Sequence, residues 1–98
     1  MLHILRVDVE SHRVVLILQG QIVDQWANAL QRECLELSRA GLRVSLDLTG
    51  VVFISRTGFE VLGRLFRNGV EIVACSPLIA DMLEQEGVHV GCSESVDQ

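Results

Sequence analysis

Hydrophobic and polar positions alternate in twos at the start of this chain and return in threes and fours further on. Residues 4–10, ILRVDVE, alternate as a strand with one buried face does, and residues 14–18, VVLIL, form a short continuous apolar run. The brief polar link SHR between them predicts an antiparallel hairpin. Gly20 breaks the pattern, and Asp24 then stands ahead of a repeat in which Ala27, Leu30, Cys34 and Leu37 recur at helical spacing. Asp24 is the expected N-cap, because its carboxylate can accept from the free amides of a first turn. Gly41 closes that helix.

The next strand carries Leu42, Val44, Leu46 and Leu48 on one face and runs through TGVVFI into a turn at Ser55–Gly58. A helix follows with Leu62, Leu65 and Phe66 on one face, ending at Asn68 and Gly69. VEIVAC is another short strand, and Ser76 followed by Pro77 signals a capped helix start, with Ile79, Met82 and Leu83 as the buried stripe. VHV is a candidate edge strand, and residues 91–98 read as a flexible tail after a single domain over residues 1–90.

This order predicts an α/β domain. Its mixed sheet has four to five strands, an antiparallel hairpin and then parallel β-α units, packed by about three helices. With so few helices, one face of the sheet is left solvated or becomes a contact surface. The loops at 20–24, 50–58 and 75–77 leave the carboxyl ends of strands and are expected on one edge, where ligands bind in such sheets.

Composition narrows the partners. The apolar fraction of 49% is ample for one core, and a net charge of −5 argues against nucleic acid or an anionic membrane. No apolar run approaches the roughly 18 residues of a spanning helix, and the first ten residues lack the apolar core of a signal peptide. Three widely spaced cysteines, Cys34, Cys75 and Cys92, fit free thiols in a reducing cytoplasm.

The turn SRTG carries the candidate chemistry. Thr57 and Glu60 have the spacing of a capping box, and Glu60 stands four residues before Arg64, the favourable order for an ion pair. Arg56 is the anomaly. A cation at a helix N-terminus is disfavoured by about 0.3–1 kcal/mol, so its placement suits a contact with an acidic partner.

The stretch VSLDLTGVVFISRTGFEVLGRL resembles the core motif of the STAS domain, shared by anti-sigma factor antagonists and by the cytoplasmic tails of sulphate transporters. The family pattern is a strand with an aspartate, a turn, and F-I-D-S-S/T-G-L opening a helix. The matching residues here are Asp47, Phe53, Ile54, Thr57 and Gly58, with Phe59 in place of the leucine. LQGQIV resembles the family's L-x-G-x-L-D, and ACSPLIADMLEQEGV its closing segment, so the likeness covers about residues 5–88.

Three polar positions of the family's switch are altered together. Ser55 stands where the family has aspartate, Arg56 where it has the phosphorylated serine, and Val23 where it has an earlier aspartate, with Asp24 displaced by one. An arginine cannot accept a phosphate, which leaves Thr57 and Ser55 as candidate acceptors. The resemblance implies a non-enzymatic interaction module docking through Asp24, Trp26, Ser55, Arg56, Thr57, Gly58 and Phe59. The implied partners are a kinase-like anti-sigma ATPase or, alternatively, the ATPase subunit of a lipid transporter, the chain itself being a monomer or weak homodimer. A nucleotide or small-ligand sensor is a further alternative, though Gly20, Gly50 and Gly58 are isolated and make no glycine-rich phosphate loop. For an enzyme, Cys75, Ser55 or Thr57 would be the nucleophile, but His3, His12 and His89 all lie away from the loop edge. His89 and Cys92 alone are too few for a metal site, and no cofactor is implied.

Overall fold

The computed structural model describes residues 1–90. Its elements are β1 (Leu2–Glu10), β2 (Arg13–Ile22), α1 (Asp24–Arg39), β3 (Arg43–Ile54), α2 (Arg56–Arg67), β4 (Glu71–Ala74) and α3 (Pro77–Gln85). The sheet order is β1-β2-β3-β4, with β1 antiparallel to β2 and the other neighbours parallel. This is the α/β architecture expected from the alternation of periods. VHV contributes a single parallel bridge, Ile72 to Val90, rather than a fifth strand. The expected tail at 91–98 lies outside the described residues.

Both crossovers, β2-α1-β3 and β3-α2-β4, step in the same direction across the sheet. Right-handed connections therefore place α1 and α2 on the same face. Burial agrees: Val14, Leu16 and Leu18 of β2 and Val44, Leu46 and Leu48 of β3 join Leu30 and Cys34 of α1 and Leu62 and Leu65 of α2 in one core. On the opposite face Val15 and Ile17 are only half covered. The sheet is thus packed on one side.

Two expectations are corrected by backbone detail. Gly20 does not end the second strand, which continues to Ile22. At φ +109 it sits in a conformation open mainly to glycine, and a Cβ there would strike the Met1 carbonyl. The glycine lets the strand run on past the chain's first residue. Met82, predicted in the buried stripe, is 39% exposed, while Ile79 and Leu83 are buried. In a nine-residue helix, positions four apart hold the core face, and Met82 falls at its margin.

The parallel pairing of β2 with β3 contains two irregularities, Asp47 to Gly50 against Ile17 to Gln19, and Val51 to Phe53 against Gly20 to Gln21. At each, β3 has one residue more than β2. The Asp47 carboxylate accepts from the Thr49 amide at 2.9 Å, fixing the first of these bends. Beyond Asp47, the last β3 residue paired with β4, the strand runs on against β2 alone.

Candidate functional site

The ends of β2 and β3 are level, with Ile22 opposite Ile54, and the helices α1 and α2 begin side by side just beyond them. The third loop does not join them. β4 stops opposite Asp47, seven residues short of Ile54, on the order of 20 Å back along the strand at about 3.3 Å per residue. The expectation of three loops on one edge is therefore corrected to two, because the bulged extension of β3 outruns β4.

At the start of α2 the cap is Ser55, not Thr57. Its hydroxyl accepts from the Gly58 amide at 3.1 Å and donates to the Ile22 carbonyl at 3.4 Å, and its own amide donates to that carbonyl at 3.0 Å. One serine thus caps the helix and ties it to the neighbouring strand end. Gly58 is buried in the same contact: a Cβ there would collide with the Ile22 carbonyl and lie 2.8 Å from Ile54 Cγ2. The predicted capping box of Thr57 with Glu60 does not form, since the helix begins two residues earlier than that spacing assumed. Nor do Glu60 and Arg64 pair; Arg64 Nη1 instead donates to Gln31 Oε1 of α1 at 3.3 Å. The half-buried Thr57 hydroxyl is consequently not committed to the cap.

The start of α1 differs. Its N-cap is Val23, with no side-chain bond, and the Val23 carbonyl accepts from the Trp26 and Ala27 amides at 2.8 and 3.2 Å. Asp24, expected as the cap, is the first helical residue and exposed, with φ +28. Aspartate tolerates positive φ better than most residues, and such strain costs on the order of 1–3 kcal/mol. Trp26 is half-buried and packs against the core, so most of its ring area is structural.

Arg56 is exposed at the first position of α2, and no acidic residue occupies that first turn. It borders an open groove of about 300 Å³ between α2 and α3, lined by Arg56, Phe59, Glu60, Met82, Gln85 and Glu86. What meets the start of α2 is thus the end of α3 and not its beginning. Beside the turn, Val52 and Phe53 are 76% and 52% exposed. Sequence reasoning missed Val52, Phe53, Met82, Gln85 and Glu86 as site neighbours. Around the second bulge, Val51 and Ile54 face the core while the two residues between them face out, so simple alternation could not have separated them.

The groove brings together a guanidinium, two carboxylates, a phenyl ring and a thioether. It holds no nucleophile and base in contact. His12 lies in the hairpin turn, and His89 stacks edge-on with Phe66 at 6.1 Å. Burial, with Glu33 adding to it, pushes the Cys34 thiol up to about 12, so it serves as a core side chain. Among the described residues no group of three or more His, Cys, Asp or Glu could hold a metal; Cys92 falls outside them. No helix of the described residues is long and apolar enough to cross a membrane.

A sheet covered on one face, with two helix starts clamped at one end and an open groove beside them, defines an α/β domain whose site is a surface rather than a chamber. The chain belongs to the STAS domain family, whose model matches residues 5–97. Among solved structures it is similar to an anti-sigma factor antagonist from Mycobacterium paratuberculosis, with TM-score 0.74 and 20% identity over 89% of this chain and 79% of that one. It is also similar to the anti-sigma factor antagonist SpoIIAA in its unphosphorylated form, with TM-score 0.66 and 15% identity over 98% of this chain and 89% of that one. A comparison with curated proteins returns no match. At these identities the structural likeness speaks for the fold, and family and fold together support a protein-interaction module.

Proposed function

We propose that residues 1–90 form a non-enzymatic, cytoplasmic docking domain that acts as an anti-sigma factor antagonist does, but with a fixed cation in place of the phosphorylated serine. The observation that carries this reading is the placement of Arg56. It is exposed at the clamped start of α2 and borders a groove that also offers Phe59 and Met82. Arginine and aromatic side chains are common anchors of protein interfaces. The docking surface comprises Asp24, the exposed part of Trp26, the Ser55–Thr57 backbone, Arg56 and Phe59, with Val52 and Phe53 at its rim. Gly58 takes part by seating the helix against Ile22, not by offering surface.

A kinase-like ATPase is the preferred partner class, and the ATPase subunit of a lipid transporter the alternative. Of the two hydroxyls in the turn, Thr57 is the one whose modification spares the cap, because Ser55 Oγ already bonds to the Gly58 amide and the Ile22 carbonyl. Any phosphate in this turn is therefore assigned to Thr57. The test is affinity capture from the source cell with wild type and Arg56→Glu, followed by mass spectrometry of bait and prey. A kinase-like ATPase recovered by wild type and lost with the variant supports the reading, and a transporter ATPase recovered in the same way favours the alternative. Identical recovery by both chains removes this turn as the docking surface.

A further inference from the structure

The other end of the sheet carries an independent feature. β1 is an edge strand of nine residues, and every residue from His3 to Glu10 is exposed. An unpaired edge of this length is a template for another strand unless charge or shape prevents pairing. Its outer face is apolar: Leu5 and Val7 lie beside the half-covered Ile17 and Val15 of β2, and Leu5 is 61% exposed. The face toward the helices carries Arg6 and Asp8, paired to each other at 3.2 Å.

The backbone sets which register the edge can offer. In an antiparallel ladder, residues alternate between those that bond to the neighbour and those whose amide and carbonyl point away. The Gln21 amide donates to the Met1 carbonyl, and Met1 and Gln21 continue the register that pairs Leu2 with Gly20. Odd positions of β1 therefore bond to β2, and Ile4, Arg6 and Asp8 direct their peptide groups to the open edge.

We infer that β1 pairs with β1 of a second copy, antiparallel about a two-fold axis at Val7, joining two four-stranded sheets into one. In that register Arg6 faces Asp8 of the other copy and Asp8 faces its Arg6, both through outward-directed backbone. Leu5 faces Val9, and the two Val7 residues meet as a non-hydrogen-bonded pair, where side chains approach closest. From Leu5 to Val9 every cross-axis neighbour is apolar on apolar or of opposite charge, and a self-complementary patch is what a two-fold interface requires. The same charges discourage unrelated strands, so they select the occupant instead of merely blocking the edge. The register irregularity between Asp8 and Glu10 ends the regular ladder there, so the pairing is centred on the residues nearest Val7.

Sedimentation equilibrium up to about 1 mM, the weak end of specific affinities, should show the wild-type chain in reversible monomer–dimer exchange. A monomer throughout overturns the inference. Arg6→Asp alone sets carboxylates against carboxylates at two symmetric pairs, and Asp8→Arg alone sets guanidinium groups against guanidinium groups. Each should weaken self-association about ten-fold or more. Mixed together, the two variants regain opposite charges at both pairs and should associate with each other as tightly as wild type does with itself. Misfolding cannot produce that recovery, and its absence, or single variants that self-associate like wild type, would place any dimer on another surface. Under mild oxidation Val7→Cys should crosslink to its copy, since the Cα atoms of such a pair lie about 4.5 Å apart. Leu5→Cys should not, its copies being about 13 Å apart along the strands; crosslinking of the second and not the first overturns the register.

Discussion

At the start of α1 the residue before the helix is Val23, whose side chain offers no acceptor, and the next residue, Asp24, turns through φ +28. At the start of α2, beside it, Ser55 caps the Gly58 amide and bonds by both its amide and its hydroxyl to Ile22 at the end of β2. Both helices leave level strand ends, yet one start is held by backbone alone and the other is locked to its neighbour. Each of these positions resembles one where the family carries aspartate. Serine supplies a side-chain cap at one of them, and valine supplies none at the other. A helix start that must present a docking residue in fixed orientation benefits from the lock, and Arg56 stands at that start.

The largest effect should come from breaking the lock at its closest contact. Gly58→Ala puts a methyl group into the Ile22 carbonyl, backbone that cannot swing aside, and should cost about 1–3 kcal/mol in urea unfolding. Gly63→Ala on the same helix is the control. Its Cβ would meet the flexible tip of the Arg67 side chain at 3.4 Å and Val88 Cγ2 at an ordinary 3.9 Å, so relief of backbone entropy should make it neutral or stabilising by up to about 1 kcal/mol. Equal losses at both positions would mean that the helix interior, and not the clamp, is sensitive.

The bodies of the two helices differ in a way that pH can read. Cys34 of α1 is buried, and its thiol is raised from 9.0 to about 12. The unfolded chain therefore releases this proton first, and stability, complete below pH 9, falls as pH rises toward 12. With no tyrosine and no lysine in the sequence, thiols dominate the alkaline titration. At one unit above the unfolded value the loss should be on the order of 1 kcal/mol, and Cys34→Ala should remove that slope. A slope unchanged by the substitution would show that Cys34 is not the group responsible.

Capping chemistry gives a comparable or smaller effect and tests the comparison from both sides. Ser55→Ala should cost about 1 kcal/mol and loosen α2 from β2. Val23→Asp places an acceptor at a residue that already has the extended geometry of an N-cap, φ −129 and ψ 144, and should recover up to about 1 kcal/mol. Should Val23→Asp destabilise instead, the half-buried valine contributes more by packing than a cap would.

Element types and order were legible in the sequence, because Val44, Leu46 and Leu48 against Ala27, Leu30, Cys34 and Leu37 show the change of period directly. What was not legible came from single-residue geometry. Gly20 reads as a strand breaker by its residue type, but here it is what lets β2 pass Met1. The cap of α2 was misplaced by two residues because Ser55 and Thr57 both have capping chemistry, and only the Ile22 carbonyl decides between them. The groove joins residues more than twenty positions apart, Arg56 and Phe59 with Met82 and Glu86, where the end of α3 approaches the start of α2. No local pattern encodes that meeting. Phe53 was seen as part of a motif, yet its exposure depends on a bulge that periodicity cannot announce.

The smallest effect on stability belongs to the residue with the largest proposed effect on binding. Arg56 places a positive charge at the positive end of α2, so Arg56→Glu should improve the interaction with the helix dipole by about 0.3–1 kcal/mol at low salt. Glu60 and Glu86 border the same groove and offset part of that gain by like-charge repulsion, so the net change should be a few tenths of a kcal/mol and should fade as salt screens it. Binding should move the other way, with capture of the partner lost in a chain at least as stable as wild type. That opposition separates a docking residue from a structural one, since a structural arginine would lose stability and binding together. If Arg56→Glu instead unfolds the domain, the cation belongs to the lock between α2 and β2, and the difference between the two helix starts is one of stability alone.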